Sequence, residues 1–81
     1  MTTWQQITED KFIIRSKGKV ITVDNLRSLI AYSMAFGVEI DDIEYARKQM
    51  IRNDHDYVEF GIWGTFIHSK KVANENFHWQ N

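Results

Sequence analysis

The residue types that carry chemistry are most concentrated in one short run of this sequence, Asn53-Asp54-His55-Asp56. Carboxylate oxygens and imidazole nitrogens can bind a divalent metal, but they must converge on one ion from defined spacings. Consecutive residues of a loop seldom point at the same ion, whereas Asn and Asp are common in turns. The sequence therefore predicts a polar turn here, with no metal site and no cofactor.

The three histidines are dispersed, and no serine or acid stands at a spacing that indicates a nucleophile–base–acid set. The run His68-Ser69-Lys70-Lys71, with Tyr57 and Trp63 nearby in the sequence, comes closest to the residues that a small metal-free nuclease or hydrolase uses. A pI near 6.3 argues against a basic groove for RNA. We predict that the protein has no catalytic residues and is not an enzyme, and we keep the nuclease or hydrolase as an alternative.

Length and composition set the class of protein. A chain of 81 residues suffices for one domain, 1–81, and the polar residues 69–81 are expected to form a flexible or docking tail. The absence of cysteine excludes a disulfide framework and suits a reducing, cytoplasmic environment. We expect neither a signal peptide nor a membrane span, because no apolar run approaches the necessary length.

The charge pattern argues against nucleic-acid binding, although one spacing supports it as an alternative. Net charge is −1, and residues 39–56 contain six acidic and three basic side chains. Ser33, Gly37 and Ile43 fit the small–Gly–apolar spacing of a helix-turn-helix, which they resemble over about a quarter of the chain. The second helix would, however, begin among carboxylates that repel DNA. These are Glu39, Asp41, Asp42 and Glu44.

The clearest local element is a β-hairpin. Lys11–Ser16 and Lys19–Val23 are rich in β-forming residues and flank Lys17-Gly18, where glycine supplies the positive φ of a two-residue turn. With this loop, Ser16 pairs with Lys19, and most of the apolar side chains of the two strands lie on one face of the hairpin. Its members are Phe12, Ile14, Ile21 and Val23, while Lys11, Ile13, Arg15, Val20 and Thr22 lie opposite.

Two helices should follow the hairpin. Asp24 as N-cap and Gly37 after the last turn predict a helix over 25–36, with small, uncharged residues on the side opposite its apolar stripe. That small side suggests close approach by the second helix or by another chain. Asp41, with Glu44, predicts the N-cap of a second helix ending near Arg52-Asn53. Its apolar stripe is Ile43, Ala46 and Met50, widened by Ile51. The spacing of Thr3 and Gln6 also predicts a short helical turn that presents Trp4 and Ile7 to the core.

The segment 57–68 reads as a long strand with apolar side chains on both faces, although Gly61 and Gly64 leave room for two short strands. The predicted fold is thus α+β, in the order β-β-α-α-β, with two helices packed on one face of a three-stranded antiparallel sheet. The far face would then expose a set of apolar and aromatic residues, and the tail carries two more aromatics. These residues are Ile13, Val20, Tyr57, Trp63, Ile67, Phe77 and Trp79.

Aromatic residues dominate binding hot spots, and a sheet with one helical layer leaves its other face uncovered. We therefore predict a small protein–protein interaction module, a regulator or inhibitor of a macromolecular partner. A homodimer is expected, which would bury either the far face of the sheet or the small side of helix 25–36.

Overall fold

The structure of the chain, a computed structural model, describes residues 1–61 and 64–68, with the backbone alone at 66 and 68. The described residues form an α+β fold with an antiparallel sheet. In chain order the elements are β1 (Thr2–Gln6), β2 (Phe12–Ser16), β3 (Lys19–Val23), α1 (Leu26–Ala35), α2 (Ile40–Asn53), β4 (Tyr57–Gly61) and β5 (Gly64–His68). The predicted tail, 69–81, lies outside the described residues.

Within residues 1–61 and 64–68 the sheet has five strands in the order β3-β2-β1-β4-β5, so the prediction of three strands was wrong. One of the strands that the prediction lacked is β1, which pairs with β2 on one side and β4 on the other. The Thr3–Gln6 spacing suggested a helical turn, but Thr2 and Trp4 alternate with Thr3 as a strand requires. Trp4 is fully buried, whereas Ile7, its predicted core companion, is exposed.

The other additional strand arises because 57–68 is a hairpin, the second of the two alternatives for this segment. Gly61 pairs with Gly64, and the register continues to Tyr57 opposite His68. The chain reverses between β4 and β5, and two residues that pair across this hairpin have their side chains on the same face of the sheet. An even-numbered residue of β4 pairs with an odd-numbered residue of β5, so even and odd positions exchange faces between the two strands. Val58 thus pairs with Ile67, and the apolar residues that suggested a two-faced strand belong to two strands.

The first hairpin was predicted correctly in residue and register. Ser16 pairs with Lys19, Ile14 with Ile21 and Phe12 with Val23. Lys17 and Gly18 both adopt positive φ, 51° and 80°, which matches the twist of a two-residue hairpin loop.

α1 begins one residue later than predicted. Asn25, not Asp24, is the N-cap: its side-chain Oδ1 accepts a hydrogen bond from the Ser28 N–H at 2.7 Å. The predicted end at Gly37 is confirmed, since φ there is +97°. The Gly37 N–H donates to Met34 O and the Val38 N–H to Ser33 O, the paired bonds of a Schellman motif.

α2, in contrast, begins earlier than predicted. Its N-cap is Glu39, which makes no side-chain capping bond, so Asp41 lies inside the first turn and is not the cap. The predicted end was right: the helix stops at Asn53, and Asp54 follows with φ 54° in the left-handed region. Neither helix has the length and hydrophobicity that crossing a membrane requires, within the described part of the chain.

The helices are not packed as predicted, because they do not share one three-stranded sheet. α1 contacts β2 and β3 and α2 contacts β4 and β5, so each helix covers its own half of a sheet wider than expected. The buried side of α1 is narrow, with Leu29 and Ser33 inside but Met34 exposed, and Ile51 of α2 points to solvent. The core is formed by Trp4, Phe12, Ile14, Val23, Leu29, Ile43, Ala46, Met50, Val58 and Phe60.

Candidate protein-binding face

The outer face of the sheet is the face turned away from this core. Its residues alternate along each strand with the buried ones, and the register aligns them in rows across the strands. One row runs Thr22, Ile13, Gln5, Tyr57, and the next runs Val20, Arg15, Thr3, Glu59. All of these side chains are half-buried or exposed, whereas the alternate positions of the central strands are buried, except for the half-buried Gln6 at the end of β1.

Three of the predicted partner-binding residues share this outer face. Ile13 and Tyr57 lie on either side of Gln5 in one row, about 10 Å apart because two strand spacings separate them. Val20 lies in the neighbouring row on β3 and is 64% exposed. The structure thus brings together apolar side chains of the β2–β3 hairpin and of β4, which is distant from it in sequence.

Ile67 does not belong to this set, and its predicted location was wrong. Its partner in the register is Val58, which is fully buried, and Ile67 packs against the hydrophobic core. The error follows from reading 57–68 as one strand. Because the chain reverses after β4, Ile67 lies on the core face together with Val58 and not on the outer face. Trp63, Phe77 and Trp79 lie outside the described residues.

Polar side chains separate the apolar ones on the outer face. Arg15 Nη1 donates to Gln5 Oε1 at 3.0 Å, a bond that joins the two rows across β1 and β2. Arg15 and Glu59 lie in the same row with Thr3 between them, so both signs of charge are present. Such a mixture of apolar and polar groups is compatible with a protein-contact surface, whose overall composition resembles that of the rest of a protein surface.

The polar run at residues 53–56 is the junction between α2 and β4. The His55 N–H donates to Met50 O, and Asp56 O accepts from the Gln6 N–H, so the backbone of this turn completes a helix end and joins β1. His55 Nδ1 is buried and has no hydrogen-bond partner among the described residues. No group of three or more metal-ligating side chains comes together within that part of the chain.

Each residue that fits the helix-turn-helix spacing has a role in the fold. Ser33 accepts a hydrogen bond from the Trp4 indole, Gly37 supplies the positive φ that ends α1, and Ile43 is buried in the core. Arg47, one of the few bases of α2, lies with its guanidinium 5.7 Å from the centre of the Phe12 ring. Helix packing on the sheet is therefore sufficient to explain the spacing.

A groove that the sequence did not indicate lies at the end of the sheet where β1 begins. It encloses about 520 Å³ between the β2–β3 turn, the α1–α2 loop and the end of β4. Phe36, Val38 and Phe60 form its apolar wall, and Lys17 and Asp42 are among its charged residues. Four separate segments of the chain meet here, the start of β1 included, so no local pattern could have revealed it.

Comparison of the chain with protein-family models, curated proteins and solved structures finds no match to any of them. Functional inference therefore depends on the fold and on the surfaces described above.

Proposed function

We propose that this protein is a small protein–protein interaction module of the cytoplasm, a regulator or inhibitor that acts by contact and without a cofactor. The supporting observation is the outer face of the sheet. Both helices contact the opposite, buried face, through Ser33 of α1 on Trp4 and Arg47 of α2 over Phe12. The outer face presents Ile13, Val20 and Tyr57, among polar neighbours.

The partner that fits this surface is a protein with apolar anchor residues. Ile13 and Tyr57 lie about two strand spacings apart with the polar residue Gln5 between them, so two apolar anchors on a partner could contact them separately. Arg15 and Glu59, in the adjacent row, supply opposite charges that would orient the partner.

Affinity capture from native lysate tests the proposal. The wild-type chain and Ile13→Glu are immobilised, retained proteins are identified by mass spectrometry, and their affinities are then measured with purified partner. A carboxylate at position 13 should abolish specific capture, because it would be desolvated within the contact. Ile51→Glu is the matched control, since Ile51 is exposed on α2, away from this face.

The proposal is contradicted if no protein is retained above background, or if Ile13→Glu and Ile51→Glu retain the same partner with the affinity of the wild type. Circular dichroism of both variants must show the wild-type fold, so that loss of binding is not mistaken for loss of structure.

A further inference from the structure

Among the described residues, β3 forms one of the two edges of the sheet, and β2 is its only neighbour in the strand order. Four of its five residues are β-branched, namely Val20, Ile21, Thr22 and Val23. Its register with β2 continues from Lys19 to Val23 without a bulge. An edge of this kind presents unpaired main-chain N–H and C=O groups, which are a template for pairing with another strand.

The hairpin register tells which of these groups are free to pair. Ser16 and Lys19 flank the two-residue loop, so they exchange main-chain hydrogen bonds, and bonded pairs then alternate along the ladder. Lys19, Ile21 and Val23 therefore direct their main-chain groups to β2. Val20 and Thr22 direct theirs away from the sheet.

We propose that β3 pairs antiparallel with β3 of a second copy of this chain, about a twofold axis beside Ile21. In this register Val20 of each copy exchanges main-chain hydrogen bonds with Thr22 of the other, and the two Ile21 residues lie opposite each other. An axis perpendicular to the sheet leaves the helices of both copies on the same side. The sheets of the two copies are then joined through β3 into one continuous sheet.

The charges at the ends of β3 are complementary in this arrangement. Lys17 and Lys19 lie at the start of the strand and Asp24 follows its end, and all three are exposed. Antiparallel pairing about Ile21 places Asp24 opposite Gly18 of the second copy, between its two lysines, and symmetry repeats the contact. Parallel pairing would instead place lysine beside lysine.

The position of α1 supports the same partner. Because α1 contacts both β2 and β3, its axis lies over the boundary between them, so two copies would lie about 10 Å apart across the twofold axis, the distance at which helices pack. Arg27 is the one charged residue of α1, and Leu26, Tyr32 and Met34 are exposed on it. A strand edge alone buries too little surface for a stable dimer, and the paired helices would add to it.

This inference extends the binding function proposed above to self-association, but it uses the edge of the sheet and not its outer face. Either proposal can therefore fail alone. A monomeric wild-type chain that still captures a partner through Ile13 would overturn only the dimer. A dimer that captures nothing would overturn only the outer-face contact.

Analytical ultracentrifugation of the full chain tests the edge pairing. We expect the wild type to be dimeric at micromolar concentration and Thr22→Pro to raise the dissociation constant about a hundredfold or more, because proline has no N–H to donate across the edge. That N–H makes no bond to β2, so the fold should persist. Thr22→Val keeps the N–H and the β-branched shape and should remain dimeric.

A charge exchange gives a second test that does not depend on proline. Lys19→Glu leaves each Asp24 between one lysine and one carboxylate and so cancels the attraction at both ends, and Asp24→Lys makes both end contacts repulsive. Each variant alone should therefore dimerise about tenfold more weakly at low salt. Mixed together, they set the wild-type Asp24 beside Lys19 at one end and the two substituted side chains, again of opposite charge, beside each other at the other end. The mixture should therefore form a heterodimer more tightly than either variant dimerises alone. A monomeric wild type, a Thr22→Pro dimer of unchanged affinity, or failure of the mixed variants to associate would overturn the proposal.

Discussion

The indole Nε1–H of Trp4 donates a hydrogen bond to Ser33 Oγ at 2.8 Å, and both side chains are fully buried. Ser33 Oγ in turn donates to Leu29 O at 2.6 Å, so the chain of bonds runs from the central strand into α1. A buried indole needs an acceptor for its N–H, and one serine on the helix provides it. This bond fixes the position of α1 on the sheet.

Ser33→Ala should lower the free energy of unfolding by about 1–3 kcal/mol, because it leaves the buried Trp4 N–H without its acceptor. Urea denaturation followed by circular dichroism measures the change. Ser28→Ala on the same helix is the control and should alter stability by less than about 0.5 kcal/mol.

A double-mutant cycle separates the hydrogen bond from serine packing. In a Trp4→Phe background no indole N–H remains, so the further change Ser33→Ala should be nearly neutral. Equal effects of Ser33→Ala in both backgrounds would contradict the assigned role.

Asn25→Ala should lower the free energy of unfolding by about 1 kcal/mol, because the Asn25 side chain accepts the Ser28 N–H at the start of α1. Asp24→Ala tests the alternative cap and should have a smaller effect, since Asp24 lies one residue before the cap. Thermal or urea melts of the two variants, side by side, decide which residue caps the helix; a larger effect at Asp24 would contradict the structure.

Lys17→Asn should raise the free energy of unfolding by about 0.5 kcal/mol. Lys17 has φ 51° at the first position of the β2–β3 loop, and asparagine tolerates this left-handed conformation better than lysine does. Lys19→Asn is a matched control, because it removes the same charge from a residue that lies in a strand. A stabilising effect at both positions would assign the gain to charge and not to the backbone.

Ile67→Glu should unfold the protein or lower its stability by several kcal/mol, because a carboxylate would enter the core beside Val58. Ile13→Glu on the outer face should leave the fold intact. Circular dichroism and one-dimensional NMR distinguish the outcomes. If Ile13→Glu unfolds the chain and Ile67→Glu does not, the face assignment of β5 is wrong.

Local patterns in the sequence determined several elements of the fold. The Lys17-Gly18 loop set the register of the first hairpin, and Gly37 marked the end of α1, because the backbone needs a positive φ there. The buried stripe of α2 followed from its helical spacing. Each of these features depends on residues close together in the chain.

Only the tertiary structure decided the face of Ile67 and the place of β1. Thr3–Gln6 satisfies both a capping spacing and strand alternation, and pairing with β2 and β4 selects the strand. The sequence of residues 57–68 permits either one strand or a hairpin of two. In the hairpin, the residues after the turn lie on the opposite face from the one that a single strand would give them. Long-range pairing resolves such choices, because a one-residue change of phase moves a side chain from the core to the surface.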